Sequence, residues 1–149
     1  MLKKISISTV AFLIIMQIIP LNRTNPKVDE TVALHADKKV MQILKKSCYD
    51  CHSYETKYSK YAYIAPLSFG VVKHIDDGRE ALNFSEWKKI PDYIKKLRLE
   101  KTKKEIEQNE MPLPSYTMFH KEAKLTQDEK NILKEWCNKE LEKVRDAKL

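Results

Sequence analysis

Glycine is scarce in this chain, and this scarcity favours a helical fold over folds that need many tight turns. Among 149 residues there are two glycines, while 33% of the residues are charged and 42% are hydrophobic. No stretch shows the alternating pattern of a convincing strand, and no internal repeat or low-complexity tract is present. The mean hydropathy of −0.55 excludes a polytopic membrane protein. The composition therefore indicates one helical domain with a modest core.

Acidic residues are missing from the first 25 positions, and this end of the chain differs in kind from the rest. Lys3 and Lys4 precede an apolar run at 5–19, which is typical of an export signal. No Ala-x-Ala cleavage site and no lipobox cysteine follow, and residues 5–21 reach the lower limit of about 17 residues for a membrane span. We expect 1–21 to be a signal or membrane-anchor segment, with an anchor favoured over cleavage. The protein is then exported to the periplasm and tethered to the inner membrane. A buried core helix is the alternative.

A concentrated basic patch is also missing, although the formal net charge is +7. The lysine pairs at 88–89, 95–96 and 103–104 are interleaved with acidic residues, as on an ordinary solvated helix face. We therefore expect no nucleic acid among the partners.

The remaining chain divides into a linker at 22–30 and a domain at 31–149, which we expect to be all-α. Apolar spacing predicts helices at 31–47 and from Pro66 onwards, the latter stopped by Gly78. Pro91 opens a long polar helix at about 92–108. Residues 111–114 must be extended or turned, because they hold two prolines. A capping box that begins at Thr126 opens the final helix.

The residues that carry chemistry lie at 48–52, in the order Cys-Tyr-Asp-Cys-His. Two thiols three positions apart can each add to one vinyl group of a haem, and the adjacent histidine is then held under the iron. This pattern predicts one covalent haem c on Cys48 and Cys51, with His52 as an axial ligand. Three alternatives remain: a zinc site, which lacks a second ligand pair, a thioredoxin-like dithiol, which lacks a βαβ context, and a plain disulfide.

Met111 is the favoured residue for the sixth position on the iron. A thioether is a soft neutral ligand that raises the potential of a haem, and the flanking prolines can hold it rigidly. An ordinary gap-filling methionine is the alternative interpretation. His120 and His74 are alternative ligands, and Met118 or an open iron site also remains possible.

Several blocks of this chain together resemble a small haem-binding domain family of exported bacterial proteins. The blocks are 48–53, 61–68, 74–79, 83–87, 110–112, His120 and 125–136. The resemblance covers about residues 30–140 and implies a single covalent haem in an all-helical, cytochrome-c-like domain. It supports Met111 as a ligand, because the match includes 110–112.

Two further side chains are secondary candidates for contacts with a haem, and the third cysteine is a separate case. Arg79 and Trp87 could each bind a haem propionate, the first through its guanidinium fork and the second through its indole N–H. A surface arginine and a core tryptophan are the simpler interpretations. Cys137 is the odd cysteine, and we expect a buried, inert thiol on the inner face of the last helix.

These features favour an electron carrier over a catalyst. We expect a single-electron shuttle in the cell envelope that serves an unidentified redox partner protein. A peroxidase-type or accessory haem site with a displaceable sixth ligand is one alternative, and a haem-based ligand-binding sensor is another.

Overall fold

The computed structural model describes the backbone of residues 2–146 and the side chains of residues 7–145, and within that range the chain is helical throughout its regular parts. The α-helices are α1 (Leu2–Gln17), α2 (Lys38–Ser47), α3 (Tyr49–His52), α4 (Leu67–Ala81), α5 (Asp92–Glu107), α6 (Pro114–Thr117) and α7 (Gln127–Asp146). Short 3-10 helices occupy Lys60–Tyr63, Phe84–Lys89 and Lys121–Ala123. No strand occurs in the described range, so the all-α expectation is confirmed.

The N-terminal segment forms α1, whose side chains from Ile7 to Ile15 are largely exposed. Among the described residues, no helix combines the length and the apolar character needed to cross a membrane. The described residues do not include the side chains of Lys3 and Lys4, nor residues 1 and 147–149 of the predicted segments.

The helix predicted at 31–47 is wrong in its first part, since α2 begins only at Lys38. Residues 31–37 are drawn into other hydrogen bonds: Leu34 N–H donates to Phe84 O at 2.8 Å, and Lys88 N–H donates to Val32 O at 2.9 Å. The Asp29 carboxylate also accepts from Thr31 N–H and starts a turn. Tertiary pairing with the segment at Phe84–Lys89 thus overrides the local apolar spacing.

The prediction that Gly78 stops its helix is also wrong, because α4 continues to Ala81. The start of α4 was anticipated correctly, with Pro66 immediately before its first residue. Gly78 is required inside the helix for a contact with Cys51, which is described with the site below.

The starts of α5 and α7 agree with the signals in the sequence. Pro91 precedes Asp92, the first residue of α5. At α7, Thr126 N–H donates to Glu129 Oε2 at 2.9 Å, and Glu129 N–H donates to Thr126 Oγ1 at 3.2 Å, which completes the expected capping box. Pro114 is the first residue of α6, where its missing N–H costs no helical hydrogen bond.

The core is centred on a cluster of aromatic rings. Phe84 stacks on Tyr49 with ring centroids 5.3 Å apart and lies 6.4 Å from both Trp87 and Trp136. Each of these side chains is at most 5% exposed, and burial of such a side chain contributes roughly 1.5–3 kcal/mol. Tyr49 belongs to the segment 48–52, and the His52 ring centroid lies 6.2 Å from that of Phe84, so the cluster borders this segment.

Candidate functional site: a cleft beside Cys48, Cys51 and His52

Cys48, Cys51 and His52 are presented by a single helical turn. Cys48 lies between α2 and α3, and its carbonyl accepts from Cys51 N–H at 3.2 Å and from His52 N–H at 2.9 Å. All three side chains line one cavity of about 270 Å³. The two thiols are free and partly buried. The local fold therefore delivers both thiols and the imidazole to the same space.

Burial keeps the two thiols protonated. It raises the pKa of Cys48 to about 12, with a further rise from Cys51, and raises the pKa of Cys51 to about 11. Nearby cations oppose these shifts only in part, Lys46 at the first thiol and Arg79 at the second. Because the thiolate is the nucleophilic form, neither cysteine is activated in the manner of a redox-active dithiol.

His52 is oriented by the end of α4. Its Nδ1 lies 2.9 Å from the carbonyl oxygen of Leu82, an acceptor that holds the ring proton on Nδ1. Burial lowers the pKa of His52, although the carbonyls of Leu82 and Gly78 favour the charged form. The imidazole is therefore neutral, and the lone pair on Nε2 is left for a metal.

Gly78 allows α4 to approach the cysteine turn closely. A Cβ placed on Gly78 would lie 2.6 Å from the carbonyl oxygen of Cys51 and 3.1 Å from its Cβ. Side-chain carbons do not come so near to backbone atoms, so no other residue fits here without moving the backbone. The glycine thus determines how closely α4 clamps the turn that carries Cys51 and His52.

A second cavity, of about 130 Å³, lies beside the first. The two cavities share several wall residues, among them Cys48, His52 and Met111. We call the two together the central cleft. Its remaining walls are largely apolar and come from α2, α4, α5 and α7.

Two buried polar atoms at this cleft have no hydrogen-bond partner. They are Ser47 Oγ, on a wall residue of the larger cavity, and Trp136 Nε1, on a wall residue of the smaller one. Unsatisfied buried groups are unusual in native proteins and point to a missing partner. Both atoms are buried by the protein alone, so they lie behind the surface of the cleft rather than facing it.

Comparison with known proteins decides the family. A family model described as a haem-binding domain matches residues 11–139. The chain belongs to the haem-binding domain family. The match begins within α1, ends within α7 and includes every residue that lines the central cleft. No curated protein and no solved structure matches the chain.

The central cleft suits the haem of a haem-binding domain. A neutral imidazole whose Nδ1 is held by a hydrogen bond is a standard donor to haem iron through Nε2, and a thioether sulfur is another standard donor. The largely apolar walls of the cleft suit the face of a porphyrin. Among the described residues, no group of three His, Cys, Asp or Glu side chains is placed to hold a metal ion, so nothing supports a zinc site.

Met111 is carried to the cleft by the way α5 ends. Asn109 has a φ of 59°, and Glu110 N–H donates back to Glu105 O at 2.9 Å, so α5 closes with a left-handed turn. Met111 N–H reaches the same carbonyl at 3.2 Å. Met111 then lines both cavities of the cleft together with His52.

The alternative ligands are placed less favourably. His120 Nε2 is bonded to the hydroxyl of Tyr61 at 2.7 Å, and His120 Nδ1 lies 3.1 Å from Glu122 Oε1, so both ring nitrogens are engaged. His74 is exposed at the wall of the larger cavity, and Met118 is 64% exposed away from the cleft.

Arg79 and Trp87 do not line the cleft, so the propionate roles expected of them have no support in their positions. The guanidinium of Arg79 donates to Ser53 O at 2.9 Å, to Asn25 Oδ1 at 2.7 Å and to Thr56 Oγ1 at 3.0 Å. It therefore fixes the segment after the cysteine turn. Trp87 is buried in the aromatic cluster, 5.7 Å from Trp136.

Polar cleft residues that the sequence did not point to are Arg98, Lys101 and Trp136. The buried, unpartnered N–H of Trp136 is visible only in the fold. Arg98 and Lys101 share a face of α5 at three-residue spacing, but the surrounding lysines and glutamates hide that signal in the sequence. Cys137 is fully buried with a pKa raised by burial to about 12, which matches the inert thiol expected there.

Proposed function

We propose that this haem-binding domain is an exported, membrane-tethered c-type cytochrome that carries one electron at a time. The observation that carries the proposal is the shared cleft of Cys48, Cys51, His52 and Met111, with His52 Nδ1 fixed on Leu82 O. The all-helical fold agrees with a cytochrome-c-like domain that encloses a single haem.

Cys48 and Cys51 form the covalent link. Each Sγ would be joined to the vinyl carbon next to the porphyrin ring, with the thiol hydrogen on the outer vinyl carbon, and this addition needs no oxidant. Burial holds both thiols protonated in the folded chain without the cofactor.

His52 and Met111 would hold the iron of a haem, His52 through Nε2 and Met111 through its thioether sulfur. Leu82 O keeps the proton on Nδ1 and so keeps Nε2 available for the iron. The haem would supply a one-electron Fe(II)/Fe(III) couple, and a thioether ligand would favour the reduced form. The largely apolar walls of the central cleft limit the access of water to both ligands.

The N-terminal segment tethers the domain to the membrane. Its exposed apolar side chains and its basic start are typical of a segment that directs export, and covalent haem is attached outside the cytoplasm. The partner is a second redox protein of the envelope, and the net positive charge favours an acidic docking surface on it.

Covalent attachment is tested with the double substitution Cys48→Ala and Cys51→Ala, expressed with an export and haem-attachment system. The unsubstituted protein is expected to retain haem stain on a denaturing gel, and the double variant to lose it. Cys137→Ala is the matched control and should keep the stain. Haem that stays with the denatured double variant contradicts a thioether link through these two residues.

A further inference from the structure

α1 is joined to the domain at a defined place rather than by a free tether. Gln17 Nε2 donates to Tyr63 O at 2.6 Å, and Ala65 N–H donates to Gln17 Oε1 at 3.0 Å. Arg23 Nε donates to Ala62 O at 2.7 Å, with the guanidinium 5.1 Å from the centre of the Tyr63 ring. Both ends of the short segment after α1 are thus held against the turn at Lys60–Tyr63.

The apolar side chains of the N-terminal segment find little cover in the protein. Ile7 is 70% exposed, Ile14 61% and Ile18 76%. Arg23 is the first charged residue after Lys4, so the apolar segment ends where the chain meets the domain. A helix that is apolar on all sides and uncovered by protein fits a lipid environment.

A second apolar surface lies next to this junction. It consists of Tyr63, Ile64, Leu67, Met118 and Phe119, each at least 50% exposed, and we call it the apolar face. Leu67 and Phe119 line one cavity of about 200 Å³, which we call the side cavity. They therefore belong to one continuous surface, although they are far apart in the chain.

The charges around the apolar face are mostly positive, although Asp50 lines the side cavity and Glu122 is bonded to His120 beside it. Residues 56–75 contain Lys57, Lys60 and Lys73 and no acidic residue, and residues 111–121 contain only Lys121. Lys73 is paired with Asp77, while the others surround the apolar face with positive charge. Exposed apolar side chains beside lysines are the composition that binds the surface of an anionic bilayer.

We propose that the apolar face rests on the surface of the anionic phospholipid bilayer that holds α1, so that the side cavity opens towards the lipid. The hydrogen bonds of Gln17 and Arg23 place the end of the apolar segment at the level of Tyr63, and the bilayer surface must lie there. The proposal rests on the tethering role of the N-terminal segment given under Proposed function. It adds the orientation of the domain on the membrane.

The orientation is tested by spin labelling of the full-length holoprotein. Leu67→Cys and Phe119→Cys each introduce one accessible thiol, because Cys48 and Cys51 are consumed by the haem and Cys137 is buried. Leu97→Cys on α5 is the matched control, since Leu97 is 59% exposed, against 53% for Leu67 and 56% for Phe119. Unsubstituted protein gives the background labelling.

Each nitroxide-labelled protein is reconstituted in vesicles of phosphatidylcholine with phosphatidylglycerol. The ratio of collision rates with oxygen and with a water-soluble nickel complex is then measured by electron paramagnetic resonance. We expect this ratio to rise several-fold at positions 67 and 119 on reconstitution and to stay unchanged at 97. If all three labels remain equally accessible to nickel while the protein sediments with vesicles, the tether stands and the orientation is wrong. Failure to sediment with vesicles overturns both the tether and the orientation.

Discussion

The contact between Gly78 and Cys51 makes a quantitative prediction about the stability of the domain. In Gly78→Ala the new Cβ would lie 2.6 Å from Cys51 O, so α4 must move away from the cysteine turn by several tenths of an ångström. Such overpacking costs about 1–3 kcal/mol, whereas alanine in place of glycine gains about 1 kcal/mol of helix propensity. The expected net loss of stability is up to about 2 kcal/mol.

Gly70 provides a matched control in the same helix. A Cβ at Gly70 meets no atom within 4 Å, so Gly70→Ala should gain up to about 1 kcal/mol from helix propensity alone. For a chain of this length, 1 kcal/mol corresponds to about 2–4 °C in melting temperature. The two alanine variants should therefore move in opposite directions.

Thermal unfolding of the two purified holoproteins, followed by circular dichroism, decides the matter. The haem yield per chain is measured in parallel, because a displaced α4 also moves the carbonyl that orients His52. If Gly78→Ala melts as high as Gly70→Ala, with the same haem yield, then α4 does not clamp the cysteine turn and the reasoning is refuted.

Three further outcomes test the site and its surroundings. Met111→Ala should abolish the weak deep-red band of the ferric protein and lower its potential, while Met118→Ala should change neither; an unchanged Met111→Ala spectrum would rule out this ligand. Asn109→Ala should destabilise the protein by about 1 kcal/mol through its positive φ, and Asn109→Gly should not, as thermal melts can show; equal melts would contradict the strained end of α5. Cys137, with its pKa raised to about 12 against an ordinary 9, should resist alkylation at pH 9 in the native holoprotein and react readily in urea; equal rates would contradict its burial.

Several elements were predictable because local signals decided them. Pro91 and the capping box at Thr126 marked helix starts. A proline has no N–H that would be left without a partner in the first turn, and a capping box provides hydrogen-bond acceptors for the free N–H groups there. The cysteine and histidine spacing likewise placed the site, because one turn of chain carries all three side chains.

Other features depended on partners far away in the chain. Residues 31–37 have the apolar spacing of a helix, but their backbone groups pair with Phe84–Lys89, which no local pattern reveals. Gly78 has the position of a helix stop and serves instead for a close contact with Cys51. The hydrogen bonds of the two His120 nitrogens to Tyr61 and Glu122 likewise have no signal in the sequence.

The acceptor for His52 Nδ1 is a main-chain oxygen, and this has a consequence for how the protein can vary. Any amino acid at position 82 offers the same carbonyl, so substitution there cannot remove the hydrogen bond without displacing the end of α4. If a side-chain carboxylate accepted this hydrogen bond instead, one substitution could remove the acceptor or change the strength of the bond. The basicity of the imidazole is thus insulated from substitution at position 82 itself and depends on the geometry of α4.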